Sequence, residues 1–166
     1  MSVILFNRQL MMDRVSEVVF NLFPDNECID ACDIHHNYAS RENHFNKNVL
    51  VHRKGATSAK LNQIGIIPGS QGANSYIVKG LGNPESFYSC SHGAGRKMGR
   101  KQAIKTLDLD KEQKMLDDKG ILHSVRGASN LDEAPSAYKD IQVVMENQKD
   151  LVEILVELEP LAVIKG

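Results

Sequence analysis

The run His92-Gly93-Ala94-Gly95-Arg96 places an imidazole at a strand end, ahead of two glycines and a helix start. Neutral imidazole is a competent nucleophile toward phosphorus, and a helix N-terminus attracts phosphate. Arg96, Lys97, Arg100, Lys101 and Lys105 then follow at helical offsets that could form a basic stripe. The same residues suit a tight turn followed by a solvated basic face. Upstream, Pro68-Gly69-Ser70-Gln71-Gly72-Ala73-Asn74-Ser75 sets small, flexible residues beside hydroxyls and amides. That composition fits a phosphate nest or a hairpin-like turn, and it matches neither the Walker nor the dinucleotide glycine pattern.

Two further groups carry possible chemistry. His35, His36, His44 and His52, with Asp30, Cys32, Asp33 and Glu42 nearby, offer nitrogen, sulfur and oxygen donors suited to zinc, manganese or iron. Their spacing fits no standard zinc motif, and adjacent His35 and His36 cannot easily aim both rings at one ion. His52-Arg53-Lys54-Gly55 closes an apolar strand with cations. Arginine offers phosphate a planar fork and lysine a point charge, although a solvated turn has the same composition. Cys28 and Cys90 read as packing residues.

These segments need elements to position them. Residues 8–22 carry Leu10, Met11, Val15, Val18, Val19 and Leu22 at helical spacing, stopped by Pro24. Cys28 to Ile34 suits a short strand, while His35 to Asn48 is too hydrophilic for core. Val49 to Val51 reads as a buried strand. Ile64 to Ile67, Tyr76 to Val78 and Phe87 to Ser91 are further strands, the first two flanking the glycine-bearing loop. Lys97 to Lys105 and Lys111 to Asp117 read as helices separated by the capping sequence Thr106-Leu107-Asp108. Ile121 to Val125 suits a strand and Tyr138 to Asn147 an amphipathic helix. Leu151 to Leu158 is expected to be helical although strand competes, with a terminal strand at Leu161 to Ile164. The fold class is α+β, one body of mixed short strands and helices.

Composition narrows the function. Of 166 residues, 42% are hydrophobic and 25% charged, which excludes wholesale disorder. A net charge of -1 excludes a general polycation that coats nucleic acid. No apolar run approaches the roughly 20 residues of a membrane span, and the opening MSVILFNRQL lacks a signal-peptide core. Three cysteines, an odd and sparse set, argue for reduced thiols, and without a signal-peptide core the chain is expected to be cytoplasmic.

The segments His36-Asn37-Tyr38, His52-Arg53-Lys54-Gly55-Ala56, Ile67-Pro68-Gly69-Ser70 with Gly72 and Ser75-Tyr76, His92-Gly93-Ala94-Gly95-Arg96, and Val163-Ile164-Lys165-Gly166 occur in one order. In that order they resemble the RtcB family of GTP- and manganese-dependent RNA-splicing ligases, from about Asn7-Arg8-Gln9 to the last residue. The resemblance implies an RtcB-like fold in which residues 1–166 are the C-terminal part of the catalytic domain, the N-terminal metal-binding half being absent. It also implies a reaction in which GTP guanylylates a histidine. The guanylate then passes to a 3′-phosphate (or 2′,3′-cyclic phosphate) RNA end, and a 5′-hydroxyl end displaces GMP, as in transfer-RNA splicing or RNA repair.

The motif match assigns the nucleophile to His92 and a manganese ligand to His36. Nucleotide contacts fall to His36, Asn37, Pro68, Gly69, Ser70, Gln71, Ser75, His92, Gly93, Ala94, Gly95 and Lys165. Lys54 and Arg96 are candidates for clamping RNA or nucleotide phosphate. The implied partners are GTP, RNA and a complementing N-terminal half or activator protein, without a membrane. Two departures stand out. Gln71 occupies a place where the family usually has methionine, and the half that supplies an aspartate, a cysteine and further histidines to the two-metal site is missing. The alternative expectation is a catalytically incomplete remnant that only binds GTP or RNA.

Overall fold

The computed structural model describes residues 3–28 and 31–164 and divides the chain into two units, Met1–Asp33 and Ile34–Gly166. Lys165 and Asp30, both expected to carry chemistry, lie outside the described residues. In the first unit α1 spans Val3–Leu22, enclosing the helix expected over 8–22. It ends where the Phe23 amide donates to Val19 O at 2.9 Å, one residue before Pro24. Side-chain pairs one turn apart, Gln9 with Asp13 and Arg14 with Glu17, brace it. The strand expected from Cys28 to Ile34 is not formed by the described residues of that stretch.

The second unit begins with a hairpin of β1 (Asn37–His44) and β2 (Lys47–Lys54), paired from Asn37↔Lys54 to His44↔Lys47. Phe45 and Asn46 turn it with φ of 51° and 60°, the conformation two-residue hairpins require. The polar stretch from His35 to Asn48 is therefore largely strand. Its inward positions Ser40, Glu42 and His44 hydrogen-bond to each other and to Arg53 instead of packing on apolar groups. β2 is correspondingly less buried than expected, with Leu50 59% exposed.

Two more sheets follow. β3 (Ala56–Ser58) pairs with β6 (Ser89–Ser91). β4 (Ile64–Ile67), β5 (Ser75–Gly80) and β7 (Val152–Leu158) form an antiparallel sheet with β5 central. β7 corrects the helix expected over Leu151 to Leu158. Its ladder with β5, from Ser75↔Leu158 to Gly80↔Val152 with an irregularity at Ile77/Val78, satisfies the backbone of a segment rich in β-branched residues.

The helices are α2 (Arg100–Thr106), α3 (Leu109–Asp117) and α4 (Ile141–Glu146). α2 starts at Arg100 because Gly99 takes an extended N-cap conformation. The Asp108 carboxylate accepts from the Lys111 amide at 3.1 Å and caps α3. Asp140 caps α4 in the same way through Gln142. Only an isolated bridge, Leu122↔Ala162, stands where strands were expected at Ile121 to Val125 and Leu161 to Ile164. Ile67, Tyr76, Val78, Cys90, Ala94, Ile141, Met145 and Val152 form the main core, and each large apolar side chain among them contributes about 1.5–3 kcal/mol by burial. Helices with small antiparallel sheets make this an α+β chain. No helix among the described residues is long and apolar enough to cross a membrane.

Candidate active site

The site is built outward from β6. Pairing with β3 sets Ala56 opposite Ser91, so the next residue, His92, lies against the β2–β3 junction. Its amide donates to Gly55 O at 3.4 Å. The Ser91 amide donates to the buried Gln148 Oε1 at 2.9 Å, and Gln148 Nε2 reaches Met145 Sδ at 3.3 Å. The segment after α4 thus holds the strand end that carries the histidine. The Ser91 hydroxyl donates to Gly93 O, and the Gly93 amide returns a bond to it at 3.3 Å, folding the chain back just beyond His92.

The His92 ring stacks on His36, centroids 4.9 Å apart and planes 20° from parallel. Its Nδ1 is buried with no hydrogen-bond partner among the described residues. Asn37 follows His36 as the first residue of β1, and Lys54 lies exposed opposite it at the end of β2. On the other side of His92 comes the glycine loop. The Ala94 amide donates to Pro68 O at 3.0 Å, and a Cβ on Gly93 would stand 3.1 Å from that oxygen. A side chain at 93 would force the Pro68 carbonyl back by a few tenths of an ångström. Within the loop, the Gly69 amide donates to Ser75 Oγ at 3.3 Å and the Ala73 amide to Ser70 O at 3.2 Å. Pro68, Gly69, Ser70, Gln71 and Ser75 line a cleft of about 490 Å³ together with Glu133 and Tyr138. A second opening, of about 770 Å³, reaches His92 to Gly95 from the side of Lys139, Asp140 and Gln148.

The structure therefore brings together His36, Asn37, Lys54, Pro68 and the His92–Gly95 turn, with the rest of the glycine loop attached through Pro68. Arg96 is deployed differently. Its guanidinium donates to Met98 O at 3.1 Å, to Tyr138 Oη at 3.2 Å and to Asp132 O, and it pairs with Glu133 at 3.3 Å. Lys97 precedes α2, so the continuous basic stripe from Arg96 does not form. Burial would raise the Glu133 carboxyl, but hydrogen bonds from Tyr138 and Arg100 and the charges of Arg96 and Arg100 outweigh it and hold the carboxyl below its ordinary value.

The histidine group disperses. His44 is buried between Phe87 and Tyr88, with ring centroids 4.7 and 4.9 Å away, and its Nε2 meets Glu42 Oε2 at 2.8 Å. His52 is exposed on β2, and Asp33 pairs with Arg8 in the first unit. Among the described residues no three His, Cys, Asp or Glu side chains converge on one point. Sequence reasoning missed Gln148 and the inward turn of Arg53. Alternation along β2 (Val49, Val51, Arg53 on one face) was the available signal for Arg53; Gln148 had none.

A sequence model of the tRNA-splicing ligase RtcB matches residues 2–166. The chain is similar to the RNA-splicing ligase RtcB of Escherichia coli strain K12, 42% identical over 166 aligned residues that cover 96% of this chain and 40% of that protein. It is 33% identical to the tRNA-splicing ligase RtcB of Methanococcus maripaludis, covering 96% of this chain and 39% of the relative. For the RNA-splicing ligase RtcB homolog 1 of Entamoeba histolytica the identity is 36%, over 81% of this chain and 30% of the relative. The chain thus spans two-fifths or less of the length of these curated relatives. Matched along nearly its whole length, the chain belongs to the tRNA-splicing ligase RtcB family.

Proposed function

We propose that this chain carries the guanylyl-accepting site of a GTP-dependent RNA ligase, with His92 as the nucleophile. The observation that supports this reading best is the placement of one imidazole between a second imidazole, His36, and a loop of small residues tied to the backbone of Ala94. An imidazole nitrogen of His92 attacks the α-phosphorus of GTP. The new N–P bond forms as the bond to the β-phosphate oxygen breaks, and pyrophosphate leaves. The 3′-phosphate of an RNA end then attacks the same phosphorus, releasing the imidazole. Finally a 5′-hydroxyl oxygen attacks the activated RNA phosphate, GMP departs, and the strand is sealed.

The chain's own groups fit the first step. The Ser70 and Ser75 hydroxyls supply donors to the guanylate, the Gly69 amide holding Ser75 Oγ in place, while Asn37 and Lys54 face the phosphates from the β1–β2 end. Arg96 is committed to Glu133 and Tyr138, which line the loop cleft. Manganese, when bound, neutralises triphosphate charge. His36 is the donor this chain would offer it, and the described residues complete no three-ligand set. That incomplete donor set also supports a second reading, a site that binds GTP or RNA without transferring guanylate.

The two readings separate in one experiment. With α-labelled GTP, manganese and a 3′-phosphate RNA, label should pass to the RNA from the native chain and not from His92→Ala. GTP binding that ignores both His92→Ala and manganese, with no label on RNA, establishes the second reading instead.

A further inference from the structure

Arg53 stands in a run of cations suited to phosphate, yet only 2% of it is exposed. All its donor positions are engaged. Nε donates to Ser89 Oγ at 3.0 Å, Nη2 to Phe87 O at 2.8 Å and to Glu42 Oε2 at 2.9 Å. Nη1 donates to Glu42 Oε1 and to Tyr38 Oη at 3.3 Å. Glu42 in turn accepts from Ser40 Oγ and meets His44 Nε2 at 2.8 Å. Its hydrogen bonds to Arg53 hold its carboxyl far below the usual carboxylate range against the opposing effect of burial.

The location of these partners matters more than their number. Glu42, Ser40 and Tyr38 lie on β1, whose first residue follows His36 directly. Phe87 and Ser89 lead through β6 into His92. Among the described residues β1 pairs only with β2, and β6 only with β3, so no strand ladder among them joins the two segments that carry His36 and His92. Two-stranded sheets are also marginal by themselves. A planar guanidinium with fixed donor directions bridges the gap from β2 to both. A second, lighter tie is the Thr57 hydroxyl, which donates to His35 O at 3.0 Å.

We infer that Arg53 and Glu42 are positioning residues: their buried pair sets the face-to-face placement of His36 and His92 from behind the site, without touching nucleotide. Stability alone does not require such a pair, since a well-packed apolar replacement is often neutral or stabilising. What an apolar replacement lacks is direction. The consequence for guanylyl transfer rests on the reading of His92 as acceptor; the consequence for ring geometry does not.

The test compares Arg53→Lys and the double variant Arg53→Met/Glu42→Leu with the native chain. Imidazole proton NMR reports through-space contact between the His36 and His92 rings, and mass spectrometry follows guanylate transfer from GTP. Both variants should unfold cooperatively, lose the ring contact, and slow transfer by about tenfold to a hundredfold, as misplacement by about 1 Å does, with GTP binding unchanged within about twofold. Should the double variant not fold, Arg53→Lys decides, because it keeps the charge without the fork. An unchanged ring contact in a folded variant overturns the inference. Lost ring contact, in a series where even the native chain takes no guanylate, upholds the positioning role and overturns the catalytic reading.

Discussion

Gly69→Ala tests the glycine loop where it is tightest. A Cβ at this position would lie 2.1 Å from Asn74 O and 2.8 Å from Ala73 O, whereas real Cβ contacts essentially never fall below 3.0 Å. Both obstacles are backbone oxygens, so no side chain can swing aside, and the loop must open by about an ångström. Overpacking of this kind destabilises by about 1–3 kcal/mol, equivalent to a fall in Tm of about 2–4 °C for each kcal/mol in a chain of this size. The same opening pulls the Gly69 amide from Ser75 Oγ, 3.3 Å away, and reshapes the cleft assigned to the guanylate. Gly99→Ala is the control for space, because nothing lies within 4 Å of the added carbon; as the N-cap of α2 it should cost about 1 kcal/mol or less and leave GTP affinity unchanged. Thermal unfolding and titration with a fluorescent GTP analogue, run on both variants, should show loss of affinity for Gly69→Ala alone and the larger loss of Tm for that variant. Native values for Gly69→Ala in both assays would refute the closed loop and its role together.

Other outcomes follow from the same geometry. Gln148→Leu leaves the Ser91 amide unpaired, which costs about 1–3 kcal/mol and should lower Tm while slowing any reaction of His92. Glu42 has its folded-state pKa depressed, so its contribution to stability is present above the ordinary carboxylate pKa of about 4.3. That contribution is lost as pH falls through the lower folded value, and Glu42→Gln should flatten the acid limb of the stability–pH curve while lowering stability at neutral pH. Burial pushes the Cys90 thiol up to about 11; at pH 8, iodoacetamide should leave it unmodified in the folded chain while labelling exposed Cys28, as peptide mass mapping would show.

What could be read from the chain beforehand followed local signals. Apolar spacing revealed α1, the Asp108 cap revealed α3, and short apolar runs revealed β4 and β5. β1 was hidden because its inward face carries Ser40, Glu42 and His44, which bond to one another, with Glu42 paired to an arginine on the neighbouring strand, in place of apolar packing. β7 was misread because Leu151 to Leu158 suits either state locally, and the choice is made by a distant partner, β5. The ordered motifs point to His36, His92 and the glycine loop from sequence alone. Alternation along β2 could place Arg53 inward, but neither the stacking of the two rings nor the partners that Arg53 and Arg96 take could be seen in one dimension, because both depend on pairings between segments remote in sequence.

The central claim, that His92 accepts guanylate, is tested most directly by intact-mass spectrometry after incubation with GTP and manganese. The account predicts a gain of one guanylate on the native chain, mapped to the peptide containing His92, and none on His92→Ala. An unmodified native chain, or an adduct that persists in His92→Ala, would contradict it.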